Sequence, residues 1–115
     1  MLNDRDKHIL ERIVRYCDET GQTVAMFGDT LDALKSNVVY KNAVSMCVLQ
    51  IGELTTHFSK EFLAANTQVP WASIKKMRNI AAHHYGKFSV EILHGTVTES
   101  IPKLREYCQT LLAVG

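Results

Sequence analysis

One stretch of the chain gathers most of its reactive polar side chains. It reads Lys75-Lys76-Met77-Arg78-Asn79-Ile80-Ala81-Ala82-His83-His84-Tyr85-Gly86-Lys87. An imidazole with an ordinary pKa of ~6.5 takes or gives a proton near neutral pH. A guanidinium stays charged and presents a planar fork of donors that suits phosphate oxygens. Arg78 and His83 therefore suit cleavage of an RNA phosphodiester without a metal. The histidine would take the 2′-hydroxyl proton or protonate the leaving oxygen. The arginine would stabilise charge developing at phosphorus, and the product would be a 2′,3′-cyclic phosphate. DNA lacks the 2′-hydroxyl and would resist. Spacing alone leaves a blander alternative for Tyr85, that of closing a helix end against the core.

Helical geometry constrains how these groups meet. At 3.6 residues per turn, positions five apart lie ~140° apart around the axis and positions seven apart within ~20°. Arg78 and Tyr85 align. His83 meets Arg78 only if the helix ends or bends near Ala82, or if a second copy of the chain supplies it across a two-fold axis. A second polar stripe, Gln50, Glu53 and His57, has offsets of three and four, with Asn42 eleven residues before Glu53. One reading is that Glu53 is a charge partner that orients Arg78; the other is a solvated helix face.

Helical spacing recurs along the chain, and strand alternation is almost absent. A first helix is expected from about Asp4 to Glu19, with Ile9, Leu10, Ile13, Val14, Tyr16 and Cys17 inward. Gly21 stands where it would stop, and the Asp4-Arg5-Asp6-Lys7 run reads as a solvated start. A short segment with Phe27, Leu31 and Leu34 follows a turn at Gly28-Asp29-Thr30. A long third helix is expected from Asn37 to Ala65, burying Val39, Ala43, Met46, Cys47, Leu54, Phe58 and Phe62. Gly52 within it would let two long helices approach at a dimer axis. Pro70 suits the first turn of a fourth helix reaching His83, with Trp71, Ile74 and Met77 inward and Gly86 at its end. The last helix spans about Ser89 to Ala113, with Val90, Leu93, Val97, Ile101, Leu104, Cys108 and Leu111 on one face. Pro102 should kink or split it near Ser100. The expected architecture is all-α, an up-and-down bundle of four to five helices.

Composition narrows the function classes. The 115 residues suit one domain, residues 1–115, able to bury a core without disulfides or metal. Thirteen Lys and Arg against twelve Asp and Glu give a net charge of +1, so nucleic-acid binding through bulk charge is excluded and any such binding must be local. The apolar runs are too short for a membrane span, and the N-terminus lacks a signal-peptide core, so a cytoplasmic protein is expected. Cys17, Cys47 and Cys108 read as buried packing thiols, and no metal-ligand spacing is present. Trp71 reads as a core anchor, and His8, His57 and His94 as scattered surface residues.

The motif Arg78-x4-His83-x-Tyr85 resembles the signature of the HepT toxin family, in the HEPN superfamily of helical ribonucleases. Further landmarks match in order: Asn42-Ala43-Val44, Gln50-Ile51-Gly52-Glu53, Val69-Pro70-Trp71, Met77-Arg78-Asn79, and Ile101-Pro102 with Leu104. The resemblance covers nearly the whole chain. It implies a homodimeric HEPN-like bundle with both motifs facing a shared cleft. It implies a toxin–antitoxin pair whose antitoxin, a minimal nucleotidyltransferase of the MntA type, AMPylates the motif tyrosine. Carried over by position, Arg78 and His83 become catalytic and Tyr85 the modified residue, with Asn79, His84 and Glu53 accessory. No cofactor is implied. AMP on Tyr85 would bring negative charge and bulk into a site built for the RNA backbone. The alternative is a non-catalytic substrate-binding or accessory subunit of a two-component nucleotidyltransferase.

Overall fold

The computed structural model describes residues 2–83 and 89–114, with positions 77 and 79–83 described by backbone alone. All regular structure among the described residues is helical. Helix α1 is Asp4–Phe27, α2 Leu31–Ser36, α3 Val38–Thr55, α4 Lys60–Ala65, α5 Trp71–His83, α6 Val90–Gly95 and α7 Ile101–Val114, with one wide π-turn, Thr96–Ser100, joining the last two. The long arms α1, α3, α5 and α6–α7 give the expected all-α bundle, and the short α2 and α4 fill its turns.

Helix α1 starts where Asn3 Oδ1 accepts from the Asp6 amide at 2.7 Å. It buries Ile9, Leu10, Ile13, Val14 and Cys17. It does not stop at Gly21. It continues to Phe27 and ends at Gly28, whose φ of +98° favours glycine. The penalty for a helical glycine is offset because the extra turns bring Val24 and Phe27 onto a second apolar cluster. Phe27 stacks on Tyr40 with ring centroids 5.1 Å apart, and the Tyr40 hydroxyl donates to the Gly28 carbonyl at 2.9 Å. His94 Nε2 lies 2.7 Å from the Asp29 carbonyl, so this histidine pins the same turn. Thr30 caps α2, which buries Leu34 completely.

The third helix is shorter than expected. It ends at Thr55, where Thr55 Oγ1 donates to the Gly52 carbonyl and Thr56 Oγ1 to the Glu53 carbonyl, both at 2.7 Å. These bonds satisfy carbonyls that a continuing helix would have used. Ser59 then caps α4. Asp6, far from being part of a solvated start, is 3% exposed and accepts from the Ser59 amide at 2.9 Å and the Ser59 hydroxyl at 2.6 Å. The break after α3 is thus fixed by a carboxylate from α1.

The buried stripe of α3 also differs. Tyr40, Val44, Val48 and Ile51 face the core beside Cys47 and Leu54, whereas Val39 and Met46 are exposed. Apolar residues occupy most faces of this helix, so periodicity alone does not select its register.

Two apolar clusters result. One joins Ile9, Leu10, Ile13 and Cys17 to Ile51, Leu54, Phe58, Phe62, Ile101, Leu104 and Cys108. The other joins Leu34, Tyr40, Val44, Val48, Leu93 and Val97. Trp71 sits against the first as expected, 5.1 Å from Phe58 by ring centroids, its indole N–H donating to the Asn66 carbonyl at 2.8 Å. Pro102 has the predicted effect in a specific form. It has no N–H for the carbonyl four residues back, and its ring crowds that carbonyl. The turn before it widens, the Ile101 amide reaching back five residues to the Thr96 carbonyl. Leu93, Val97, Ile101, Leu104 and Cys108 all stay buried through this change.

Candidate functional site

Helix α5 begins where the Pro70 carbonyl accepts from the Ser73 and Ile74 amides, and it lies along α3. The two helices meet tightly at Gly52. A Cβ built there would fall 2.3 Å from Arg78 Cβ, 3.0 Å from Arg78 Cγ and 3.1 Å from the Ile74 carbonyl oxygen. No side chain fits in that gap. The sequence suggested that Gly52 eases a contact between two copies; instead it makes room for α5 of the same chain, and specifically for the stem of Arg78.

The guanidinium of Arg78 continues along α3 to Glu53, with Nη1 3.5 Å from Oε2. The other Glu53 oxygen lies 3.7 Å from His57 Nε2. Arg78 is 24% exposed, while Glu53 and His57 are about half exposed at 50% and 54%. The Arg78 Nε is buried and has no hydrogen-bond partner among the described residues. Gln50 turns elsewhere, its amide 3.7 Å from the Met46 sulfur, and Asn42 is exposed. Lys75 and Lys76 are exposed on α5. The structure therefore brings Arg78 together with Glu53 and His57, which precede it by 25 and 21 positions.

The remaining motif residues are placed less fully. Asn79 and His83 are positions of α5, whose helix continues through Ala82 without a break. Positions 78 and 83 consequently lie ~140° apart around its axis. Their side chains, the Met77 side chain, and His84, Tyr85, Gly86 and Lys87 lie outside the described residues.

Elsewhere the polar chemistry is structural. Cys17, Cys47 and Cys108 are buried and unbonded to one another. Burial pushes the Cys17 and Cys108 thiols up to about 12 and raises that of Cys47, so all three are neutral packing groups rather than nucleophiles. Arg105 pairs with Asp18 across α7 and α1. A groove of about 410 Å³ separates α5 from the π-turn and α7, walled by Ile51, Val69, Ile74, Ile101 and Leu104. Of these, Ile74, Ile101 and Leu104 read in the sequence as inward-facing, and nothing in their spacing distinguishes a groove wall from a packed face.

Helices alone, with an arginine seated over a glycine of the neighbouring helix, define an all-α, HEPN-like bundle. The chain belongs to the HepT-like ribonuclease family: the family described as "Ribonuclease HepT-like" matches residues 7–111. It is similar to a Thermococcus cleftensis protein named "Probable ribonuclease HepT", 33% identical over 55 residues, which is 48% of this chain and 50% of the relative. It is also similar to a Methanocaldococcus jannaschii protein named as a candidate RNase, 27% identical over 73 residues, or 64% of this chain and 60% of the relative. The matches thus span about half to three-fifths of those relatives. No solved structure matches the chain. No helix among the described residues is long and apolar enough to cross a membrane.

Proposed function

We propose that this protein is the toxin of a HepT/MntA-type pair, a metal-independent endoribonuclease held in check by AMPylation of Tyr85. The observation that carries the reading is Arg78, a part-exposed guanidinium whose stem is fixed by the α3–α5 seam in a chain of this family. In the reaction, a substrate 2′-hydroxyl attacks the adjacent phosphorus as His83 takes its proton. Negative charge grows on the phosphate oxygens, where the Arg78 fork stabilises it. The bond from phosphorus to the 5′-oxygen breaks as that oxygen takes a proton from water, giving a 2′,3′-cyclic phosphate and a 5′-hydroxyl.

The unbroken helix through Ala82 favours a two-chain site, because positions 78 and 83 of one copy diverge around the axis. An unpartnered apolar face on α3 supports the same arrangement, with Val38 63%, Val39 61% and Met46 53% exposed. A homodimer would cover it. Adenylation of Tyr85 by the partner nucleotidyltransferase would place anionic phosphate beside the Arg78 fork and exclude RNA.

The test is RNA cleavage by protein purified alone, with its intact mass measured on the same sample. Unmodified dimer should cut RNA and not DNA, with EDTA present, and lose activity as Arg78→Ala or His83→Ala. Unmodified protein that binds the transferase and never cuts RNA would establish the accessory-subunit reading instead.

A further inference from the structure

Resting on the ribonuclease reading, we propose that Glu53 is the positioning residue for Arg78, steadied at its other oxygen by His57, with Gly52 providing the clearance that brings the guanidinium within reach. An arginine is useful to a transition state only if its fork is already aimed, since a small misplacement is expensive in rate. A long side chain on a helix surface is not aimed by itself. Here its base is confined, because the Gly52 Cα takes the place where any other residue would strike Arg78 Cβ. Its middle is confined too, because Nε is buried without a partner among the described residues. Only the tip remains to be oriented, and among the described residues the charged group facing it is Glu53.

The distances favour steering over capture. A closed, charge-assisted pair sits at roughly 2.7–2.9 Å and engages two donors of the fork. The separation of 3.5 Å to a single nitrogen is longer, so Glu53 orients Arg78 and leaves donors open to a phosphate. His57, on the far side at 3.7 Å, limits the other freedom, rotation of the carboxylate away from α5. Gly52 and Glu53 lie in the last turn of α3 and His57 in the turn just after it, so the end of one helix acts on a residue of another.

The decisive experiment follows the Arg78 Nε–H by NMR and cleavage kinetics in parallel, for wild type, Glu53→Gln, Glu53→Asp and His57→Gln. In Glu53→Gln the Nε–H should exchange with solvent about tenfold faster, and kcat should fall about 10- to 100-fold with KM within about twofold. Glu53→Asp keeps the charge and should recover part of kcat, and His57→Gln should cost only a few-fold. An Arg78 signal and kcat both unchanged in Glu53→Gln would overturn the proposal. So would tighter RNA binding with faster cleavage, which would make Glu53 a competitor of the phosphate. If wild type never cuts RNA while the Arg78 signal still depends on Glu53, the ribonuclease reading falls and the holding role stands.

Discussion

The seam between α1, α3 and α7 and the seam between α3 and α5 are built in opposite ways. The first is closed by large apolar side chains, with Leu10, Ile13 and Cys108 fully enclosed and its polar groups paired, Asp6 to Ser59 and Asp18 to Arg105. The second is closed by an absence, the missing side chain of Gly52. It carries an arginine with one buried nitrogen that has no partner among the described residues, and an open groove lies beside α5. Stability is concentrated in the first, and the second carries Arg78, the residue proposed to stabilise the reacting phosphate. Such a division is general: chemistry needs groups that are only partly satisfied, and a separately packed core supports their cost.

Removing the imidazole proposed to move the proton tests the reactive side. His83→Ala is expected to lower RNA cleavage by about 10²–10⁴-fold, the range for loss of a general acid or base. Its thermal unfolding should match wild type, which circular dichroism against temperature would check. Leu10→Ala makes the complementary break. Leu10 is 0% exposed, so the variant should lose about 2–5 kcal/mol in a urea titration. Below its unfolding transition it should still cleave RNA, because the α3–α5 seam at Gly52 and Arg78 is left as it is.

Gly52→Ala strikes the second seam alone. The added methyl meets backbone-anchored atoms of Arg78 and Ile74, so α5 itself must move. We expect a loss of about 1–3 kcal/mol from overpacking, and a fall in cleavage larger than that loss of stability accounts for. Equal cleavage by Gly52→Ala and wild type would mean that the α3–α5 distance does not set the position of Arg78.

The thiols sharpen the comparison through pH. Folding holds Cys17 and Cys108 protonated up to about 12, whereas the unfolded chain releases those protons near 9.0. Their contribution to stability is therefore complete below pH 9 and is lost as pH rises toward 12, by on the order of 1 kcal/mol per pH unit for each thiol. The double variant Cys17→Ala/Cys108→Ala should flatten the alkaline limb of a urea-midpoint profile. The same buried thiols should react slowly with a thiol reagent at pH 7.5 unless urea is present.

Much of this division was legible in the residues. The apolar stripes of α1 and α7 follow a clean helical period, the turn at Gly28-Asp29-Thr30 has its own signals, and Pro102 marks the widened turn. The approach of Glu53 to Arg78 was one of two open readings of a polar stripe, and the contact is present. What escaped was set by contacts distant in sequence. The break after α3 depends on Asp6, which binds Ser59 from more than fifty residues away, inside a stretch that reads as unbroken helical pattern. The register of α3 depends on which of its several apolar faces α1 covers. The partner of Gly52 was assigned to a second copy because no local signal shows that α5 folds back at that point.

Gly21 separates local propensity from tertiary control and carries the smallest expected effect. By its own propensity it belongs at a helix end, yet α1 passes through it because Val24 and Phe27 are needed on the second cluster. A Cβ at this position would meet nothing within 4 Å. Gly21→Ala therefore adds no contact. It removes only the entropy that glycine loses on becoming helical, and should stabilise by about 0.5–1 kcal/mol in the same urea titration. Cleavage should be unchanged. A destabilised Gly21→Ala would mean that α1 bends at this point under the load of its second half, and that the two clusters are joined by a hinge rather than by one continuous helix.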